Sequence, residues 1–386
     1  MLNRRILRVK VMQTLYALRQ SEISNYHLGL DYLHDTFSPD LNSPEVQDVA
    51  KLSQLRTTAS DIYEKSFESG VVEAELPEVQ VAVQKALIDY KKSVEKDRKH
   101  FERQMLENVR SIYNRYLEVF SMLIKLSDEA DYSYNRGKNK YIKDEDILNE
   151  FKLVQNKIIL GIKANKALEA ELIKRNISFN SNSAASIYKD IIRPDEEYRK
   201  YLSSPGGFEE DKKIVLYILK TLIFKNKDLE THFEEGDIYW VEDKEIIKSM
   251  VVKTIKSVEE SKEDQFSLLE ISANWEEDEQ FFRKLYTDTI EREETLEKIV
   301  TEKLKNWDPE RLAAIDKIIL KMAVSEMINF PSIPVKVTIN EYIEISKEYS
   351  TPKSKQFING ILDTVSAELI ANGMIRKSGR GLIDNK

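Results

Sequence analysis

Three arginines near the start, Arg4, Arg5 and Arg8, are the residues of this sequence whose type and spacing best suit chemistry. On a helix Arg4 and Arg8 share a face, and their planar guanidinium forks fit phosphate oxygens and the edges of unpaired bases. Lys10 adds positive charge, and no acid stands close by in the sequence. Unpaired RNA is read by stacking on aromatic rings and by hydrogen bonds to exposed base edges, so such a patch needs aromatic and amide companions. Gln13, Tyr16, Phe357 and Asn359 can supply them. Two blander readings compete. An arginine-bearing face is often solvated or paired with acids, in which this chain is rich. Phe357 also forms a core-like stripe with Ile361, Leu362 and Val365.

Lys353 and Lys355 fall in the first turn of a predicted helix, where the helix dipole disfavours cations unless an anion is near. RNA phosphate is such an anion. Gly360, inside the same helix, costs about 1 kcal/mol relative to Ala, and close packing of another helix is the expected reason. Arg4 and Arg8 are expected to be exposed, so reversing both charges should abolish RNA binding while leaving the helix intact.

Little else asks to be an active site. With Cys 0, disulfides, thiolate metal sites and cysteine nucleophiles are excluded. His27, His34, His100 and His232 lack the tight spacing of metal ligands, and no glycine-rich phosphate loop is present. Neither a metal nor a cofactor is expected.

The elements that position these residues read as all-α. The 386 residues contain only Gly 11 and Pro 9, and their 41% hydrophobic share is enough to bury a core. Residues 3–20 form a predicted amphipathic helix with Leu7, Val11, Leu15 and Leu18 as its stripe. His34–Glu45 reads as a loop, 85–104 as a charged helix, and 105–126 as a core helix. The pattern breaks over 131–146, at 176–186 and at 203–207, with helical text at 146–175, 211–224 and 243–258. Asp308 before Pro309 signals a helix through Leu312, Ile315, Ile319 and Met322. Thr338 with Glu341 reads as a capping box, and Thr351-Pro352 opens a last helix ending near Gly373. The acidic stretch 259–265 suggests a junction, and the basic tail 376–386 is expected to be mobile and to assist RNA binding weakly. No stretch approaches the ~20 apolar residues of a membrane span, and the start lacks a signal-peptide pattern, so a cytoplasmic location is expected.

Residues 306–365 closely resemble the C-terminal half of NusB proteins. The resemblance centres on Pro-Val-Lys-Val-Thr-Ile-Asn-Glu at 334–341 and Lys-Gln-Phe-Ile-Asn-Gly-Ile-Leu-Asp at 355–363. Arg4-Arg5, Arg8 and Gln13-Thr14-Leu15-Tyr16-Ala17 resemble the family's arginine-rich first helix. It implies a NusB-like helical bundle in four parts. These are the first helix at 1–20, a helical insertion at 21–265, a C-terminal domain at 266–373 and a tail at 374–386. By resemblance, Phe357 belongs to the RNA-contacting surface, while Tyr16 and Asp316 face NusE, the ribosomal small-subunit protein that doubles as a transcription factor. Many family members carry an acid where Lys353 stands and a histidine where Lys355 stands, which shifts this surface toward positive charge.

The function implied is that of a non-enzymatic antitermination factor. It would bind single-stranded boxA RNA in ribosomal RNA leader transcripts with NusE and join the RNA polymerase elongation complex with other Nus factors. Two alternatives belong to other classes. One is a helical protein-protein scaffold. The other is an accessory unit of a ribosomal RNA methyltransferase, which the missing cysteine and the lack of a glycine-rich strand-to-helix turn disfavour.

Overall fold

The computed structural model describes residues 2–40, 42, 44, 46–138, 151–304 and 313–385. Among them the regular structure is helical and no strand occurs. The Asp308-Pro309 start signal lies outside the described residues. No described helix is long and apolar enough to cross a membrane.

The chain divides into two compact units, one of residues 4–106 and 277–386, the other of 1–3 and 107–276. In the first, α1 (Arg4–Thr36) buries the predicted stripe of Leu7, Val11, Leu15 and Leu18. It runs 16 residues past the predicted end at 20, because nothing after Gln20 breaks a helix. Gly29 lies in this extension for a packing reason: a Cβ there would sit 2.1 Å from the Tyr63 hydroxyl. Around that contact Leu33, Phe37, Leu55, Ala59, Tyr63 and Val83 form a core shared with α2 (Val49–Ser69) and the start of α3 (Pro77–Lys138). Asp48 caps α2, and Gly70, at φ 72°, ends it in the left-handed region that favours glycine.

Among the described residues the second unit takes the rest of α3 and eight shorter α-helices, α4 (Phe151–Val154), α5 (Lys157–Ala164), α6 (Lys166–Arg175), α7 (Ser181–Ile187), α8 (Glu196–Ser203), α9 (Phe208–Tyr217), α10 (Lys227–Gly236) and α11 (Trp240–Ser257), with π-helical turns at Tyr188–Ile192 and Ile218–Ile223. Their ends are fixed by buried amides. Asn156 caps α5 through its oxygen and donates its Nδ2 to the Tyr201 hydroxyl and the Asp211 carbonyl, both at 3.1 Å. Asn165 caps α6 and donates to the carbonyls of Asp264 and Phe266, both at 2.9 Å, pinning the segment 259–266. Part of the stretch 176–186, expected to be loop, is helical from Ser181 because Asn180 caps the helix and Ala184 and Ile187 are buried.

The first unit closes with α12 (Trp275–Glu291), α13 (Glu293–Thr301), α14 (Ala314–Asn329), α15 (Val335–Tyr349) and α16 (Ser354–Ala371). α14 packs against α1, α13, α15 and α16. Thr338 is not a cap. Pro334 stands at the cap of α15, a turn earlier, and Thr338 is buried in the helix interior. α16 begins at Ser354, just after the Thr351-Pro352 signal, and Gly373, at φ 68°, follows its end as expected. The tail carries a 3-10 helix (Gly379–Asn385), and Lys377 Nζ and the Ser378 amide donate to the carbonyls of Phe330 and Pro331, both at 3.0 Å.

Candidate nucleic-acid interface

α1 carries its arginines into the first unit rather than onto an open face. Every residue from Leu7 to Met12 is buried, so this stretch is enclosed on all sides and Arg8 and Lys10 go in with it, each 2% exposed. The expectation that Arg8 is exposed is therefore corrected, and Lys10 too is withdrawn from the surface. Packing of α1 against α14 and α15 contributes to this burial, and Arg8 is drawn toward both helices.

A buried arginine needs a partner, since an unpaired internal charge is strongly unfavourable. Arg8 finds it in Glu326 of α14: its Nε and one terminal nitrogen donate to the two carboxylate oxygens at 2.7 Å each. Thr338 Oγ1, at 2.9 Å, and the Tyr342 hydroxyl, at 3.1 Å, donate to the same carboxylate. Burial opposes charge on Arg8, yet Glu326 outweighs it and the guanidinium is held more firmly protonated than usual. The Tyr342 hydroxyl, wholly buried beside that carboxylate, is pushed well above its ordinary range.

Arg4 and Arg5 are nearer to water, but both are paired. Arg5 forms a two-pronged bridge to Glu341 of α15 at 2.9 and 2.9 Å. That hydrogen bond raises the arginine's pKa. Arg4 pairs with Glu277 and, at 3.5 Å, with Asp278, both on α12. The guanidinium carbons of Arg4 and Arg8 stand 5.0 and 5.2 Å from the centre of the Phe281 ring. Acids distant in sequence thus pair with all three arginines.

The residues at the far end of the sequence reach the same neighbourhood. Glu344 on α15 is held below the usual carboxylate range chiefly by its hydrogen bond from Lys347, and both Arg5 and Lys355 contribute attraction. Lys353 and Lys355 are exposed, Phe357 is half-buried, and Asn359, also half-buried, donates to Asp363 at 3.1 Å. Gln13 is half-buried on α1. Gly360 has nothing within 4 Å of a built Cβ, so the expectation of close helix packing there is corrected.

Tyr16 is 39% exposed, in keeping with a surface role. Asp316 is not a surface residue. Its oxygens accept hydrogen bonds from Ser350 Oγ at 2.6 Å and Ser354 Oγ at 2.7 Å, so it anchors the turn that starts α16. A cleft of about 530 Å³ opens among α1, α13 and α14, where Lys321 is matched by Glu293 at 2.6 Å and Glu297 at 3.5 Å. No group of three or more potential metal ligands occurs among the described residues.

Sequence reasoning missed Glu326, Tyr342 and the pairing role of Glu341. One signal was present: Glu326 is the one charged residue between Met322 and Phe330, a stretch rich in apolar residues, and an acid in a buried helix demands a cation.

The NusB family model matches residues 245–367. A transcription antitermination protein NusB from Salinibacter ruber is 41% identical over 103 residues, 27% of this chain and 64% of that protein. The NusB of Chloroherpeton thalassium is 41% identical over 104 residues, 27% of this chain and 49% of its own length. The chain thus spans less than two thirds of these two relatives. The NusB of Exiguobacterium sp. is 31% identical over 121 residues, which are 31% of this chain but 94% of that protein. With nearly the whole of a relative matched at that identity, and with the arginine helix and the α14–α16 bundle joined through Glu326, the chain belongs to the NusB family.

Proposed function

We propose that this protein is a transcription antitermination factor that binds a boxA-type single-stranded element of ribosomal RNA leader transcripts. It does so jointly with NusE, the ribosomal small-subunit protein, and the complex joins elongating RNA polymerase with other Nus factors. Its mechanism is assembly, not catalysis. Arg4, Arg5, Lys353 and Lys355 supply attraction for phosphate, while Phe357, Asn359 and Gln13 bias which bases are accepted. Arg8 and Lys10 serve from beneath by holding α1 in place, and Tyr16 offers a surface for NusE.

The observation that supports this reading is the two-pronged Arg5–Glu341 bridge, which joins the arginine helix to α15, together with the exposure of Lys353 and Lys355 at the start of α16. The test is a salt titration of a labelled boxA-like RNA with the full chain, with and without purified NusE. Tight, salt-sensitive binding that NusE strengthens is expected. Absence of binding under both conditions overturns the reading. The neutralised state of Arg4 and Arg5 favours one competitor, a protein scaffold that has given up RNA, and that outcome would select it.

A further inference from the structure

The acids that hold the arginines fall into two kinds. Arg8 and Glu326 have side chains 3% and 0% exposed, so that pair is fixed within the bundle. Arg5 and Glu341 are 44% and 21% exposed, and Arg4 and Glu277 are 33% and 61% exposed, within reach of solvent and of any ligand. Exposed ion pairs contribute little and exchange readily, whereas buried ones resist separation.

We propose that Glu277, Asp278 and Glu341 are built-in competitors for RNA, occupying Arg4 and Arg5 in the free protein and surrendering them when a strand binds. This deepens the RNA-binding reading above and rests on it. The geometry fits an exchange. Glu341 presents both carboxylate oxygens to the Arg5 fork, the arrangement in which a phosphate would also be taken. Arg4 lies over the Phe281 ring, which is buried, so its guanidinium keeps a resting place while its acid partner changes. Glu341 also stands 3.6 Å from a terminal nitrogen of Arg8, but Arg8 keeps its two hydrogen bonds to Glu326, so the exchange at Arg5 leaves α1 anchored.

The arrangement yields selectivity. A scattered anion meets arginines that are already satisfied, while a strand whose phosphates reach Arg4 and Arg5 together displaces both sets of acids at once. The net charge of -8 further repels unspecific polyanions.

The experiment compares the full chain with Glu341→Gln, with Glu277→Gln, and with Glu95→Gln as a charge-matched control. Glu95 pairs with Lys99 on α3 and touches none of these arginines. A short labelled boxA-like RNA is titrated at several salt concentrations, and melting temperature is recorded for each variant. Each arginine-releasing variant should bind about two- to five-fold more tightly, with a salt slope steeper by up to ~0.7 per arginine released, because one fewer carboxylate is left to recapture cations. Glu95→Gln should track the wild type. If the wild type binds RNA and all variants overlay it, the competitor role is overturned while the RNA-binding reading stands. If neither the wild type nor any variant binds, both fall.

Discussion

Arg8 and Glu326, separated by 318 residues in sequence, meet through two parallel hydrogen bonds of 2.7 Å inside the first unit. The pair ties the first helix to the C-terminal bundle, and it divides the basic residues of α1 into a fixed anchor and an exchangeable surface. Breaking it should be costly. Arg8→Ala leaves a carboxylate buried without its cation and is expected to lower unfolding free energy by about 3–5 kcal/mol, read by urea denaturation. Arg5→Ala, which removes a partly exposed pair, should cost less than about 1 kcal/mol. Equal losses for the two would contradict the distinction drawn between them.

Asp316 receives hydroxyl donors from Ser350 and Ser354, so Asp316→Ala should unfasten the start of α16. Two hydrogen bonds to a charged group are lost, with an expected cost of about 2–4 kcal/mol. Amide hydrogen exchange should quicken over 351–358 before other parts of α16. Uniform exchange along the helix would show that Asp316 has no special hold on that turn.

Gly360 is exposed in mid-helix with open space where a side chain would go. Gly360→Ala should therefore raise stability by up to about 1 kcal/mol through helix propensity alone. A drop in melting temperature would reveal a close approach that the free protein does not display.

Alkali should unfold the protein through its buried tyrosines. Burial pushes Tyr116 up to about 12, and Tyr63, Tyr201, Tyr286 and Tyr342 are raised as well, also chiefly by burial. An unfolded tyrosine ionises near 10, and each folded one ionises at higher pH. The stabilisation is therefore fully present below pH 10 and is lost as pH climbs from there through the folded values. Each tyrosine contributes about 1.4 kcal/mol per pH unit over that interval. Tyrosinate absorbance should rise together with loss of helical circular dichroism; ionisation that runs ahead of unfolding would show that these hydroxyls are not held neutral by the fold.

Periodicity made the helices legible. Leu7, Val11, Leu15 and Leu18 are buried as their spacing requires, and the last helix ends where Gly373 marks it. Periodicity could not report how many sides of a helix are covered, so Arg8 and Lys10 read as surface residues although both are 2% exposed. Local pattern also misled at Thr338, which matches a capping signature in sequence but lies one turn beyond the Pro334 start, its hydroxyl directed to a carboxylate on another helix. Each of these errors arose from a partner remote in sequence, which no window of neighbouring residues contains.

The Glu326 carboxylate has a further consequence for α15. Thr338 and Tyr342 are four residues apart, one helical turn, and both hydroxyls point at the same two oxygens. Sliding α15 by a single residue would swing both away by about 100° and bring Ile339 and Ile343, which have no donor to offer, toward the charge. The carboxylate thus acts as a gauge of alignment: it accepts α15 in one setting only, and a helix that arrives one step out of place leaves an acid buried with half its donors missing.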